Sequence, residues 1–267
     1  METPLRSHEN VSLKTLFVTV VKAMSEPVTL NISHIVTEDD TPVDNFASEK
    51  QQRLLTEPLY SSWYTTSKFL AAANVGLFYA VKQPPVVPDV FLSMDVTVAN
   101  EWWERQNRSY FFWEFGKPPE VVIEIVSNTE GNELGSKLRD YARMRVIYYV
   151  VFDPIEQLKS SVLQVYQLQP SGYTAMNDLW LESVGLGLQL WQGVFEGKQD
   201  AWLRWCDRNG EVIPTGAERA EQERLRAEQE RLRAERAESE LQQERLKAER
   251  LATRLRALGI DPDEAMS

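Results

Sequence analysis

The chain has 267 residues, a formal net charge of −11, 43% hydrophobic and 10% aromatic residues, which excludes global disorder and allows one sizeable core plus an appendage. One cysteine, Cys206, and two histidines, His8 and His34, exclude an internal disulfide and a zinc site of the usual Cys/His spacing, so any metal would take carboxylate ligands and be a hard ion such as magnesium or manganese. The acidity argues against broad attraction to nucleic acid or anionic membranes, though not against a local basic groove, and the lack of paired cysteines suits a reducing, cytoplasmic setting.

Near the N-terminus, the apolar run in "LFVTVVKAM" lies between Lys14 and Lys22, is too short to span a bilayer and shows no export cleavage site. Residues 1–24 read as an extension, with Met24 of "MSEPVTLN" an expected natural start. The segment "SEKQQRLLTEPLYSSW" predicts a helix capped by Ser48 and stopped by Pro58. From about residue 75 to 195, β-rich stretches alternate with turns: "VGLFYAV", "PDVFLSMDVTV", "PEVVIEIVS", "VIYYVVFDP", "LQVYQLQ" and "LGLQLWQG". One helix interrupts them, with Leu134, Leu138, Tyr141 and Ala142 at helical spacing toward the sheet. Asn209 and Gly210 suggest a hairpin, both residues being able to take positive φ. This order predicts an α/β fold over residues 25–210, a mixed β-sheet flanked by helices.

After a linker at 211–216, composition shifts to Glu, Arg, Ala and Leu over 217–258, followed by a short tail at 259–267. Glu218 to Leu258 holds 11 basic and 10 acidic residues, leaving 18 basic against 30 acidic in the rest, so the acidity belongs to the globular part. Residues 220, 227, 234, 241, 248 and 255 are Ala or Leu, a heptad pattern that firms from Ala234 onward and predicts a long C-terminal helix forming a homo-oligomeric coiled coil. For its first half, a single solvated helix held by Glu–Arg contacts is an equal alternative.

The stretch "VVIEIV", residues 121–126, is apolar on both faces except for Glu124. A strand covered on both sides offers an ionised group no water, so Glu124 needs an arginine, a backbone donor, a proton or a metal. Asp89, immediately after Pro88, opens a second apolar strand. If these strands pair, the two acids converge where a divalent cation would offset their repulsion. Such a pair suits phosphodiester hydrolysis, which uses the ion to bind phosphate oxygens and acidify water, and a nearby lysine to stabilise the transition state.

With "VPDVFLSMDV", "PPEVVIEIVSN", "KLRDYARM" and "YYVVFDP" in this order over roughly residues 45–195, the sequence resembles the PD-(D/E)XK nuclease superfamily, and within it the Uma-two family of restriction-endonuclease-like proteins. The resemblance implies a restriction-endonuclease-like core and Asp89 and Glu124 as metal ligands, with the backbone carbonyl of Ile125 as a third oxygen. The lysine expected two positions after the glutamate is Val126 here; the family's alternative, a lysine on the following helix, matches Lys137. Arg145, Val146 and Ile147 stand where the resemblance leads to a "GVP" turn. Glu49 on the first helix is a further candidate acid, its alternative being an ordinary surface glutamate.

The segment "NEWWERQNRSYFFWEFGKPPE" sets Arg105, Arg108 and Lys117 among aromatic residues. That mixture suits base stacking and phosphate contact, or else core and interface packing. The expected function is a Mg²⁺- or Mn²⁺-dependent endonuclease acting on DNA, not associated with membranes. The alternative is a catalytically silent nuclease-fold module working through its coiled coil.

Overall fold

The computed structural model describes residues 45–80, 83–104, 107–127 and 132–259. The N-terminal extension with Met24, and Arg105, lie outside the described residues. In chain order the elements are α1 (Phe46–Ser61), β1 (Phe69–Ala73), β2 (Leu77–Phe78), β3 (Val90–Met94), β4 (Tyr110–Phe111), α2 (Phe112–Phe115), β5 (Val121–Ile125), a π-helical turn (Glu133–Lys137) running into α3 (Leu138–Met144), β6 (Tyr148–Phe152), β7 (Leu163–Gln169), β8 (Gly172–Ala175), β9 (Trp180–Leu181), β10 (Leu186–Phe195), β11 (Lys198–Cys206) and α4 (Gly216–Ala257). The fold is α/β with a mixed sheet and a long C-terminal helix. Among the described residues no helix is long and apolar enough to cross a membrane.

The main sheet has the order β1-β3-β5-β6-β7-β8. Among the described residues its one parallel pair is β5–β6, with α3 between them in the chain, and every residue of β3, β5 and β6 is buried. Alternation divides the core in two. Val121, Ile123 and Ile125 pack with Leu55 and Leu59 of α1 and with Leu186, Leu188, Leu203 and Trp205 of the smaller sheet β11-β10-β9. Val122 and Val126 face the opposite way, under Tyr141 and Met144 of α3. Glu124 shares this second face by parity.

Several local expectations shift. The Oδ1 of Asn45, not the Ser48 hydroxyl, caps α1, accepting from the amides of Ala47 and Ser48 at 2.9 Å each. Pro58 does not stop α1, which continues to Ser61. Proline forfeits one hydrogen bond, and here packing prevails, since Leu55, Pro58 and Leu59 are all buried. The long hairpin β10–β11 turns at Glu196 (φ 46°) and Gly197 (φ 75°), the positive-φ pair a two-residue loop needs. At the expected site only Gly210 has positive φ, in a turn closed by the Cys206↔Val212 bridge. Arg145 ends α3 with φ 67°, the left-handed position that a glycine commonly fills.

The long helix α4 opens with a capping box: Thr215 accepts from the Glu218 amide at 3.1 Å, and Glu218 accepts from the Thr215 amide at 2.7 Å. None of its 42 residues is buried.

Candidate active site

The register Val90↔Ile123, Phe91↔Val122 and Leu92↔Val121, continued by one residue, sets Asp89 opposite Glu124 on the same sheet face. Pro88 has no amide to donate, so pairing stops at this end, and the Asp89 side chain takes over. Its Oδ2 accepts the Ile125 amide at 2.6 Å, and its Oδ1 accepts from Gln52 Nε2 of α1 at 3.2 Å. Glu124, 1% exposed, accepts from the Tyr141 hydroxyl at 2.5 Å and from Lys137 Nζ at 3.0 Å. The sheet contributes Asp89 and Glu124, the first helix Gln52, and the crossover helix with its π-turn Lys137 and Tyr141.

The π-turn explains why the crossover helix presents the residues it does. Its wider winding displaces the 3.6-residue stripe by one position. Leu134, expected against the sheet, is 39% exposed, whereas Glu133 is 4% exposed. Leu138 is partly buried and Tyr141 fully so, as their spacing suggests. Glu133 Oε1 lies 3.5 Å from Lys137 Nζ, and its Oε2 is buried with no partner. Sequence periodicity missed Glu133, since a regular helix turns that position away from the leucines. The available signal was its i, i+4 spacing from Lys137.

Charge follows from this packing. Burial, then the charge of Glu124, push the Asp89 carboxyl well above the usual carboxylate range. Burial pulls the Lys137 ammonium down, but Glu124, Glu133 and Asp89 outweigh it, so its pKa is raised and the lysine stays protonated. Burial and the same glutamate hold the Tyr141 hydroxyl in its protonated, donating form.

The other candidates separate from this cluster. Glu49 lies on the exposed side of α1, 2.5 Å from Arg53 Nε, and the helix sends Gln52 to the site instead. Lys117 is engaged by the Glu120 carboxylate and the Met94 carbonyl, which anchors a strand end. Arg108 donates to the Trp103 carbonyl at 2.6 Å and borders a cleft of about 380 Å³ with Trp102, Trp103, Leu70, Phe91 and Phe115. By alternation Phe91 shares the sheet face of Asp89.

The residues that could hold a hard cation are Asp89 and Glu124. Among the described residues no three acidic, histidine or cysteine side chains converge on one point. Two carboxylates with backbone and water oxygens are a donor set typical of magnesium, and beside them one buried oxygen of Glu133 has no hydrogen-bond partner.

Comparison with known proteins gives the family. Residues 38–192 match the model of Uma2, described as "Putative restriction endonuclease". No curated protein matches the chain. Among solved structures, the chain is similar to a crystal structure described as a "putative nuclease belonging to DUF820" from Anabaena variabilis ATCC 29413, with 14% identity, a TM-score of 0.37, and coverage of 52% of this chain and 72% of that one. The family match takes in Asp89, Glu124 and Lys137 and more than half of the chain, which therefore belongs to the Uma2 family.

Proposed function

We propose that the chain is a nuclease that hydrolyses DNA phosphodiester bonds at the Asp89–Glu124 centre with Mg²⁺ or Mn²⁺. The charge balance carries this reading. Three carboxylates, Asp89, Glu124 and Glu133, act on one ammonium, Lys137, so full ionisation leaves two negative charges, the amount one divalent cation neutralises. Asp89 and Glu124 would hold the ion, with the Ile125 carbonyl as a third oxygen. Once bound, it would polarise the phosphoryl group and strengthen water as a nucleophile. Gln52 and the Ile125 amide orient Asp89, and Tyr141 orients Glu124. Lys137 supplies fixed positive charge where the transferring phosphoryl group gains negative charge.

DNA as substrate rests on the family description. Arg108 and the neighbouring tryptophans offer a stacking and phosphate-contact surface on the same sheet face; Lys117 is already committed to Glu120. The test is calorimetric titration with Mg²⁺ and Mn²⁺, alongside cleavage assays on single- and double-stranded DNA. Binding with cleavage is expected; a chain that binds neither ion sinks the proposal.

A second reading, an assembly module, is favoured by Leu241, Leu251 and Leu258 of the heptad seam, 55%, 61% and 72% exposed. Association through α4 would cover them. Deleting residues 217–267 should then lower the mass seen by light scattering without unfolding the core; an unchanged mass would rule association through α4 out. The two readings are compatible unless cleavage is absent.

A further inference from the structure

Lys137 faces a conflict that the metal-binding reading creates. Its Nζ sits 3.0 Å from Glu124 Oε2, one of the oxygens a cation on Asp89 and Glu124 would need. An ion there repels the ammonium and takes its acceptor. A lysine with no other acceptor would swing into solvent, its side chain being 29% exposed, and its charge would leave the site.

Glu133 offers the alternative. Its carboxylate is 3.5 Å from the same Nζ on one oxygen, while the other oxygen is buried and makes no hydrogen bond. A buried carboxylate oxygen without a donor is costly and rare, and this one has unused capacity for a cationic donor. The Glu133 backbone is fixed as well, its carbonyl accepting from the buried Tyr149 hydroxyl at 3.0 Å. The acceptor is therefore held at one end of the π-turn and the lysine at the other. Resting on the proposed metal site, we infer that Glu133 is a positioning residue: it receives the Lys137 ammonium when a divalent cation takes Glu124, and so keeps that charge beside the reacting phosphate. Lys137 has two stations, Glu124 in the metal-free protein and Glu133 in the loaded one. A short rotation of its terminal torsions carries it between them.

The consequence is a coupling that metal affinity alone reports. Without the Glu133 charge, Lys137 stays on Glu124 and competes with the ion. Without Lys137, nothing competes and Glu133 has little left to do. Mn²⁺ binding to the full chain is measured by calorimetry at fixed pH and ionic strength for the parent, Glu133→Gln, Lys137→Met and the double variant, all first shown to melt cooperatively. Glu133→Gln should weaken Mn²⁺ roughly tenfold in the parent but by less than about threefold in the Lys137→Met background, as expected for residues sharing one charge network. Equal weakening in both backgrounds would mean that Glu133 acts on the ion directly, and the two-station account is then wrong. No weakening in the parent background overturns it too. A parent that binds no Mn²⁺ removes both this inference and the metal site beneath it. Coupled binding without DNA cleavage leaves the inference standing and removes only the nuclease reading.

Discussion

Two carboxylate–cation clusters with similar ingredients stand in different parts of the molecule. At the root of α4, Arg204, 1% exposed, makes a two-pronged pair with Glu218, Nη1 to Oε1 at 2.9 Å and Nη2 to Oε2 at 2.6 Å. Nη2 also donates to the Ile213 carbonyl at 2.9 Å, and the guanidinium lies 4.8 Å from the Trp191 ring centre. One charge meets one charge. At the sheet face, by contrast, a single lysine faces three acids and Asp89 is pushed toward its neutral form. The Arg204–Glu218 pair is matched in charge, whereas the sheet cluster is short of positive charge, which is what the proposed cation site would need.

The comparison breaks most easily at Asp89. Asp89→Asn keeps an acceptor for the Ile125 amide but removes one of two adjoining charges. It should abolish detectable Mn²⁺ binding and lower any cleavage by about a thousandfold or more. The melting temperature of the metal-free protein should hold or rise, because repulsion is relieved. A clear drop in melting temperature with metal affinity intact would make Asp89 structural. Lys137→Ala comes next: turnover should fall roughly a hundredfold, while metal affinity is unchanged or raised as a competing positive charge is lost. Cleavage at the parental rate in saturating Mg²⁺ would refute the migrated-lysine role.

That Asp89, Glu124 and Lys137 lie together was legible in the sequence for a simple reason. A charged residue in a two-faced apolar strand must be compensated, and Glu124 is, by the Tyr141 hydroxyl and the Lys137 ammonium. The strands β3, β5 and β6 announced themselves as apolar runs, broken only by Ser93 in β3 and Glu124 in β5. Glu133 and Gln52 did not, because neither is visible to periodicity: one depends on a π-turn, and the other is an uncharged side chain reaching the site from α1. The strand β1, "FLAAA", was hidden by alanines with low β-propensity, and it is placed by pairing all five residues with β3. Glu49 was open to two readings, a further acid or an ordinary surface glutamate, and the face of α1 decides between them, since it lies on the exposed side against Arg53.

The smallest effect tests the balanced cluster. Glu218→Gln preserves the capping box, as glutamine also serves there, and removes only the charge that faces Arg204. The buried guanidinium would then be left with the Ile213 carbonyl, an amide oxygen and Trp191. The expected loss is about 1–2 kcal/mol, at the low end for a charge-assisted hydrogen bond because the Glu218 side chain is 36% exposed and partly screened. The pH dependence supplies the sign. Burial raises the Glu218 carboxyl, but the bonds from Arg204 and Thr215 outweigh it and its pKa in the fold is lowered. A depressed folded pKa means stability that is complete above the ordinary carboxyl range, about pH 4.5, and is lost as pH falls through the lower folded value. The stability gap between parent and Glu218→Gln, read from urea midpoints, should therefore be constant from about pH 7 to 5 and shrink toward pH 3. A gap that is the same at pH 3 as at pH 7 would show that Glu218 stabilises α4 by shape and not by its pair with Arg204.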